Sequence, residues 1–399
     1  MLLKIISALL LILLGLRPFI SSMAEPGLDI VFSSVFILTC ALFILKRFLP
    51  IKKNAFFSTA SLFFLAVFLS VTLSLDKDTS LLAFYPYATY FFCFVAISYF
   101  NEKECNLLIK TLILSSTLVS FCALKFLTGE YLYTISYLEK TPSAINAFAL
   151  EYLSRGRAFI PFPTPTALAG YLLLFAPLAF ALLFNNQKKQ NTRVSATNIL
   201  TLLVFLGITL ALLSTQSLGA LLSLAIAAAL ALFQKKYHFK KTTILLTTLF
   251  FGITLVVIFY LRRTQALEFN QPHFSVANRL FYWHEAVLNI LLYPWLGFGL
   301  GNYPHIKTIA AHNTYLQLWA ETGILGFLSF LVLAVQTVKK GFIESFKKNT
   351  PVFALWIGSS AFLIHNACDF TFFYPEITLQ WWAIVALLLN QPSNHLKTE

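Results

Sequence analysis

Residues 196–233 read ATNILTLLVFLGITLALLSTQSLGALLSLAIAAALALF, thirty-eight positions without one ionisable side chain. The run divides at Ser214-Thr-Gln-Ser217 into two stretches, 196–213 and 215–233, each of a length that carries a helix across the ~30 Å of a bilayer's hydrocarbon. Similar runs recur at about 4–22, 28–45, 55–75, 81–100, 107–127, 164–184, 243–261, 322–338, 351–368 and 373–390. The expectation is a single polytopic domain over 1–399, all-α, with about twelve membrane spans.

Composition agrees. Of 399 residues 58% are hydrophobic and 11% charged, against about a quarter charged in a soluble domain. The formal charge of +13 would suit a nucleic-acid partner only if it were clustered on one folded surface, and it sits in the connections between spans. Counted on alternate sides, nineteen Lys and Arg fall on one side in short clusters such as Lys46-Arg47, Lys52-Lys53, Lys235-Lys236 and Lys339-Lys340, and ten on the other. Basic residues near span ends stay in the cytoplasm, so the richer side is read as cytoplasmic, both termini included, and no nucleic acid is expected. The first run lacks a small-residue cleavage pattern and is kept as a span. Cys40, Cys93, Cys105, Cys122 and Cys368 show neither CxxC nor metal-ligand spacing, and no disulfide framework or metal site is read from them.

Two segments interrupt the rhythm of span and turn, 128–163 and 262–321, and both fall on the outer side. Long connections in a compact protein tend to carry function. The second holds a helix expected over 275–292, then a Pro- and Gly-rich turn. Most spans lack an ionisable residue in mid-membrane, which weighs against an ion-coupled transporter.

The strongest local pattern is Asn278-Arg279-Leu-Phe-Tyr-Trp283-His-Glu-Ala286, then Pro294-Trp-Leu-Gly297-Phe-Gly299-Leu-Gly301, then His312-Asn313-Thr-Tyr315-Leu-Gln-Leu-Trp319-Ala-Glu321-Thr-Gly323-Ile-Leu-Gly326. In this order the pieces resemble the O-antigen ligase and O-antigen polymerase family of membrane glycosyltransferases. Arg157-Ala-Phe159 with Pro163, Ala167 and Tyr171, the Ser214–Ala220 stretch, and His365 with Asp369 and Pro375 extend the resemblance. Residues 1–150 share only their apolar, multi-span character. Where many members have arginine after the serine of Ser-Arg-Gly, this chain has Leu218.

The resemblance implies transfer of a glycan from an undecaprenyl-diphosphate carrier to a sugar hydroxyl on the periplasmic face of a bacterial inner membrane, without metal or other cofactor. A diphosphate leaving group gains charge in the transition state, and arginine offers a permanently charged fork of donors to it. A neutral histidine can take the proton of an attacking hydroxyl. The expected catalytic residues are therefore His312 and Arg279, with Arg157, Ser217, Trp283, Asn313, Tyr315, Glu321 and Asp369 contacting substrate.

Plainer readings stand beside these. Arg279 can face lipid phosphates, and His312-Asn313 can simply cap a helix. Gly297-x-Gly299-x-Gly301 follows a helix and a Pro-Trp turn, not a strand, so it is a tight turn and not a dinucleotide fingerprint. Asp76-Lys-Asp78 reads as a solvated turn. His365 and Asp369, four apart, would share a helix face. Trp381, Trp382, Tyr85, Tyr87 and Tyr90 read as interfacial aromatics.

The preferred acceptor is lipid A core, as for a ligase, because the 33 positions from Arg279 to His312 leave little room for a large outer domain. A polymerase with a lipid-linked saccharide acceptor comes second, and a protein O-oligosaccharyltransferase third. A lipid-linked-sugar flippase or a structural envelope subunit would not need the Arg279 and His312 block.

Overall fold

The computed structural model describes residues 1–47, 55–141, 153–189, 196–232, 274–304, 310–343 and 350–390, together with residues 150, 249, 252, 253 and 256. Every regular element among them is helical: α1 (Leu2–Leu16), α2 (Pro26–Arg47), α3 (Ala55–Thr72), α4 (Lys77–Ser98), α5 (Glu102–Lys125), α6 (Tyr131–Lys140), α7 (Pro165–Lys189), α8 (Ala196–Ser214), α9 (Leu218–Leu232), α10 (Phe274–Leu292), α11 (Thr314–Ile343), α12 (Thr350–His365) and α13 (Pro375–Asn390). Among the described residues eight helices are long and apolar enough to cross a membrane, and α9 and α12 are shorter apolar helices. The chain is thus a multi-pass membrane protein whose described residues form helices and no strand. Of the twelve expected spans, that at 243–261 lies almost wholly outside the described residues, and those at 215–233 and 373–390 correspond to helices of 15 and 16 residues.

The helix ends follow local chemistry. Asp76 caps α4, accepting from the backbone N–H groups of Asp78 and Thr79, and Asn101 caps α5 in a reciprocal box with Glu104. The Asp76–Asp78 turn is therefore a helix start, and its carboxylate is held below the usual range chiefly by the Thr79 hydroxyl.

At the centre stands α13, whose residues from Pro375 to Leu388 are all buried. It packs on α4, α7 and α12, and α12 packs in turn on α7 and α9. Trp381 and Trp382 are consequently core residues, Trp381 donating to Ser359 Oγ at 2.9 Å, and Tyr87 and Tyr90 are buried too. Only Tyr85 is exposed as an interfacial aromatic would be. The sequence misled here because a helix enclosed on every side needs no polar face to show which side is inside.

The two ends of the bundle differ. At one, Arg47 pairs with Glu104 at 2.9 Å and Asn390 at the close of α13 donates to Phe100 O. At the other, the start of α13 meets the end of α1 and the start of α2. There Arg17, 1% exposed, lies 2.5 Å from Asp29 and 3.8 Å from Glu376, with the Phe32 ring 4.9 Å from its guanidinium. Ser22 also donates to Glu376. A buried ion cluster of this kind stabilises little in net terms but costs about 3–5 kcal/mol when one partner is removed. It pins the three helices that frame the connection before α13.

Helix α11 breaks at Gly323, whose φ of 67° and ψ of −173° are not helical. The break frees the carbonyls of Ala320 and Glu321, which would otherwise be orphans in a buried place. The N–H groups of Phe298 and Gly299 fill them at 2.8 and 3.0 Å, and Ile324 N donates back to Pro294 O at 3.1 Å. The two backbones cross in direct contact: a Cβ on Gly323 would lie 2.1 Å from Trp295 O, and one on Gly297 2.5 Å from Glu321 O. Gly323→Ala is therefore expected to cost about 3 kcal/mol or more from left-handed strain plus overpacking. The check is a heat-unfolding midpoint in detergent several degrees below that of the parent chain.

Candidate functional site

The connection that opens α11 and the one between α12 and α13 are stitched together at the end of the bundle that holds Arg17. Asn313 caps α11, its Oδ1 accepting from the N–H groups of Tyr315 and Leu316 at 3.0 and 3.1 Å, while its Nδ2 donates to Ala367 O at 2.8 Å. Thr314, fully buried, donates its N–H to Asn366 O and Asp369 O at 2.9 and 3.1 Å, and its hydroxyl to Asn366 Oδ1 at 2.7 Å. Asn366 Oδ1 also receives Phe372 N at 2.8 Å and Thr371 Oγ1 at 3.2 Å. These bonds fix residues 312–314 against 366–372. Thr314→Val removes one donor from a buried carbonyl and is expected to cost about 1–2 kcal/mol, with Thr314→Ser staying near the parent. Heat-unfolding midpoints in detergent compare the three.

His312 adopts φ 48°, a region in which histidine and asparagine are enriched among non-glycine residues. This turns the chain from the loop into the α11 cap. The imidazole is half-buried, stacked on Tyr282 with centroids 5.2 Å apart and met edge-on by Phe370 at 4.6 Å. Among the described residues no hydrogen bond engages its ring nitrogens, which leaves them open to a ligand. Burial holds it below the ordinary histidine range; Asp369 opposes that lowering and Arg279 adds to it. It is therefore neutral at pH 7 and able to accept a proton.

Helix α10 runs from Phe274, one residue earlier than expected, and brings Arg279, Tyr282 and Trp283 to this corner. Trp283 Nε1 donates to His312 O at 3.3 Å. Arg279 Nη2 lies 3.3 Å from Asp369 Oδ2, the arginine side chain 28% exposed and the aspartate 1%. Asp369 Oδ1 accepts Phe370 N at 2.8 Å. The guanidinium is thus held at one edge by a buried carboxylate and presents the rest of its fork outward.

A second group lies on the neighbouring helices. Arg157 Nε donates to Thr215 O at 2.9 Å, Ala158 N to Ser214 O at 2.9 Å, and Gln216 Nε2 to Arg155 O at 3.1 Å, so the 155–158 segment docks on the turn that opens α9. Ser217 is buried and caps α9 through Ala220 N at 3.4 Å. Two residues on, a Cβ at Gly219 would meet Cys368 Sγ at 3.5 Å and His365 Nδ1 at 3.6 Å. The Arg157–Ser217 group therefore abuts the connection that carries Asp369. Burial raises the Cys368 thiol, with Arg279 and Asp369 acting on it as well.

Two residues expected at substrate turn inward. Glu321 is 2% exposed and accepts Gly301 N at 2.8 Å and Gln317 Nε2 at 2.9 Å, while Gln317 Oε1 receives Ala311 N at 3.2 Å. It links the glycine turn to the His312 loop. Tyr315 donates its hydroxyl to Leu363 O at 2.9 Å. Because α12 ends at His365, Asp369 lies beyond the helix, and the shared-face reading of the pair does not hold. Sequence reasoning missed Asn366 and Thr314; an Asn three residues before the Asp and a Thr after His-Asn are ordinary in isolation. No group of three or more His, Cys, Asp or Glu side chains among the described residues has the geometry of a metal site.

What this chain resembles follows from the same residues. Residues 202–331, which include Ser217, Arg279, Trp283, His312, Asn313, Tyr315 and Glu321, match the family described as O-Antigen ligase. Over that region the chain is similar to O-antigen ligases. It is 29% identical over 226 residues to a Rickettsia conorii protein named as an inferred polysaccharide ligase, covering 50% of this chain and 52% of that protein. A Rickettsia typhi protein with the same kind of name is 30% identical over 223 residues, covering 50% of this chain and 53% of its own length. The chain thus spans about half the length of the relatives it matches.

Proposed function

We propose that the chain is a membrane glycosyltransferase that moves a glycan from an undecaprenyl-diphosphate carrier to a sugar hydroxyl of lipid A core, on the periplasmic face of the inner membrane. The observation that carries the reading is the juxtaposition of a half-open arginine, anchored by buried Asp369, with a neutral histidine whose ring nitrogens are open. The acceptor oxygen attacks the anomeric carbon, its proton passes to His312, and the bond from that carbon to the diphosphate breaks. The carrier diphosphate leaves with the bonding pair, its growing charge met by Arg279. Arg157, beside the α9 cap, is suited to the second phosphate and to the cation missing at Leu218.

In this reading Trp283 and Asn313 set the His312 backbone, and Ser217 sets the turn beside Arg157. Glu321 and Tyr315 act through the scaffold. The diphosphate is countered by guanidinium groups alone, so a chelator is expected to leave transfer intact. Polymerisation, with a lipid-linked saccharide as acceptor, is the alternative within the family. The family description and the names of the relatives favour the ligase.

Deleting the gene in its own host tests the choice. Loss of all capped lipopolysaccharide with long polymer still on the lipid carrier is the ligase result. A single repeat unit on the core indicates the polymerase, and an unchanged surface-glycan profile contradicts both.

A further inference from the structure

Helix α10 has two apolar faces, and only one is covered. Ala286 and Ile290 are buried with Ala311, Tyr303 and Ala320 against the start of α11, and Arg279 and Trp283 share that side. On the opposite side Leu280, Val287, Leu288, Leu291 and Leu292 are exposed, and Trp295, 74% exposed, continues the row past the helix end. His284 interrupts it near its start. At 100° per residue these positions form one stripe about 140° wide, and 280–292 make it about 18 Å long.

The stripe is continuous with a surface whose solvent is already set. Its lower end, Pro294-Trp295, lies on the backbone of α11 at Gly323–Ile324. From there α11 continues as one of the membrane-length helices, with Leu325, Leu328, Val332 and Val335 exposed along it. Those side chains face hydrocarbon. A row of leucines ending in a tryptophan, joined to them through one backbone contact, fits the boundary between acyl chains and head groups.

We infer that α10 is an interfacial helix, its Leu280–Trp295 stripe sunk into the acyl chains of the leaflet at the site end of the bundle. It is neither a span nor part of a loop standing in water. The opposite face, with Arg279 and Trp283, then lies at head-group depth, where a lipid phosphate meets it without leaving the membrane. The inference does not require the glycan-transfer reading, since lipid contact along α10 would hold for any activity at this end.

The test uses the full chain reconstituted in phosphatidylglycerol and phosphatidylcholine vesicles, with p-benzoylphenylalanine introduced singly at Leu288, at Leu291, at Leu328 on α11, or at Asp78 in the first turn of α4. After irradiation, intact-mass measurement is expected to find phospholipid adducts at Leu288 and Leu291 as at Leu328, and none at Asp78. Chain-to-chain adducts at Leu288 and Leu291 would mean that a second copy covers the stripe, and would overturn the inference. So would the absence of lipid adducts at both positions while Leu328 yields them.

Discussion

Replacing Arg279 with glutamine is expected to lower the rate of glycan transfer by about 10²–10³-fold, the usual effect of removing one preorganised donor from a developing oxyanion. Glutamine keeps a donor near Asp369 but loses the charge. Because the diphosphate gains charge on the way to the transition state, the loss should fall on kcat and on kcat/KM together. Arg279→Lys, which keeps the charge and loses the planar fork, should lie between the two. Asp369 is almost wholly buried, so the variant is also expected to be less stable, and the comparison is made per folded protein after size-exclusion chromatography in detergent. Transfer by the glutamine variant within a few-fold of the parent would remove Arg279 from the chemistry.

His312→Ala is expected to cost about 10²–10⁴-fold, the range of a general base, and to abolish the acid limb of the pH profile. The sign follows from the surroundings. Burial disfavours the imidazolium and lowers the pKa, so the neutral, proton-accepting form persists to pH values below the ordinary histidine range, and transfer falls only as pH drops through that lowered value. Asp369 favours the imidazolium and Arg279 disfavours it. Asp369→Asn should therefore move the acid limb of the residual activity to lower pH, and Arg279→Gln should move it to higher pH. A profile of kcat/KM for each variant checks this. Limbs that shift together, or not at all, would mean that the titrating group is not His312.

Much of this was legible in the sequence. Apolar runs without ionisable residues gave the helices, since the length of hydrocarbon to be crossed leaves few alternatives. The order of Arg279, the glycine turn and His312-Asn313 marked the segment that converges on the site. What was not legible depends on contacts between distant residues. Asn366 and Thr314 lie 52 positions apart, and neither carries a pattern of its own. Arg17 is one of the ten Lys and Arg on the sparser side, and no local pattern in the sequence pairs it with Asp29 and Glu376. Trp381 and Trp382 resemble an aromatic belt until α13 proves to be enclosed all round. Glu321 turned inward because the break at Gly323 leaves two carbonyls and a glycine turn to be satisfied, and its carboxylate completes that repair.

The same break explains the shape of the site. With Gly323 and the glycine turn crossing backbone to backbone, the first turns of α11 are held beside α10 and the α12–α13 connection, where Asp369 meets Arg279.

The decisive measurement is transfer by the purified, reconstituted chain from a polyprenyl-diphosphate-linked glycan to a lipid A core acceptor, with chelator present. Glycosylated acceptor and an equal amount of freed polyprenyl diphosphate are expected, both lost in His312→Ala that remains folded. Acceptor glycosylated equally by the His312→Ala protein, or transfer that stops with chelator and returns with a divalent ion, would contradict the mechanism.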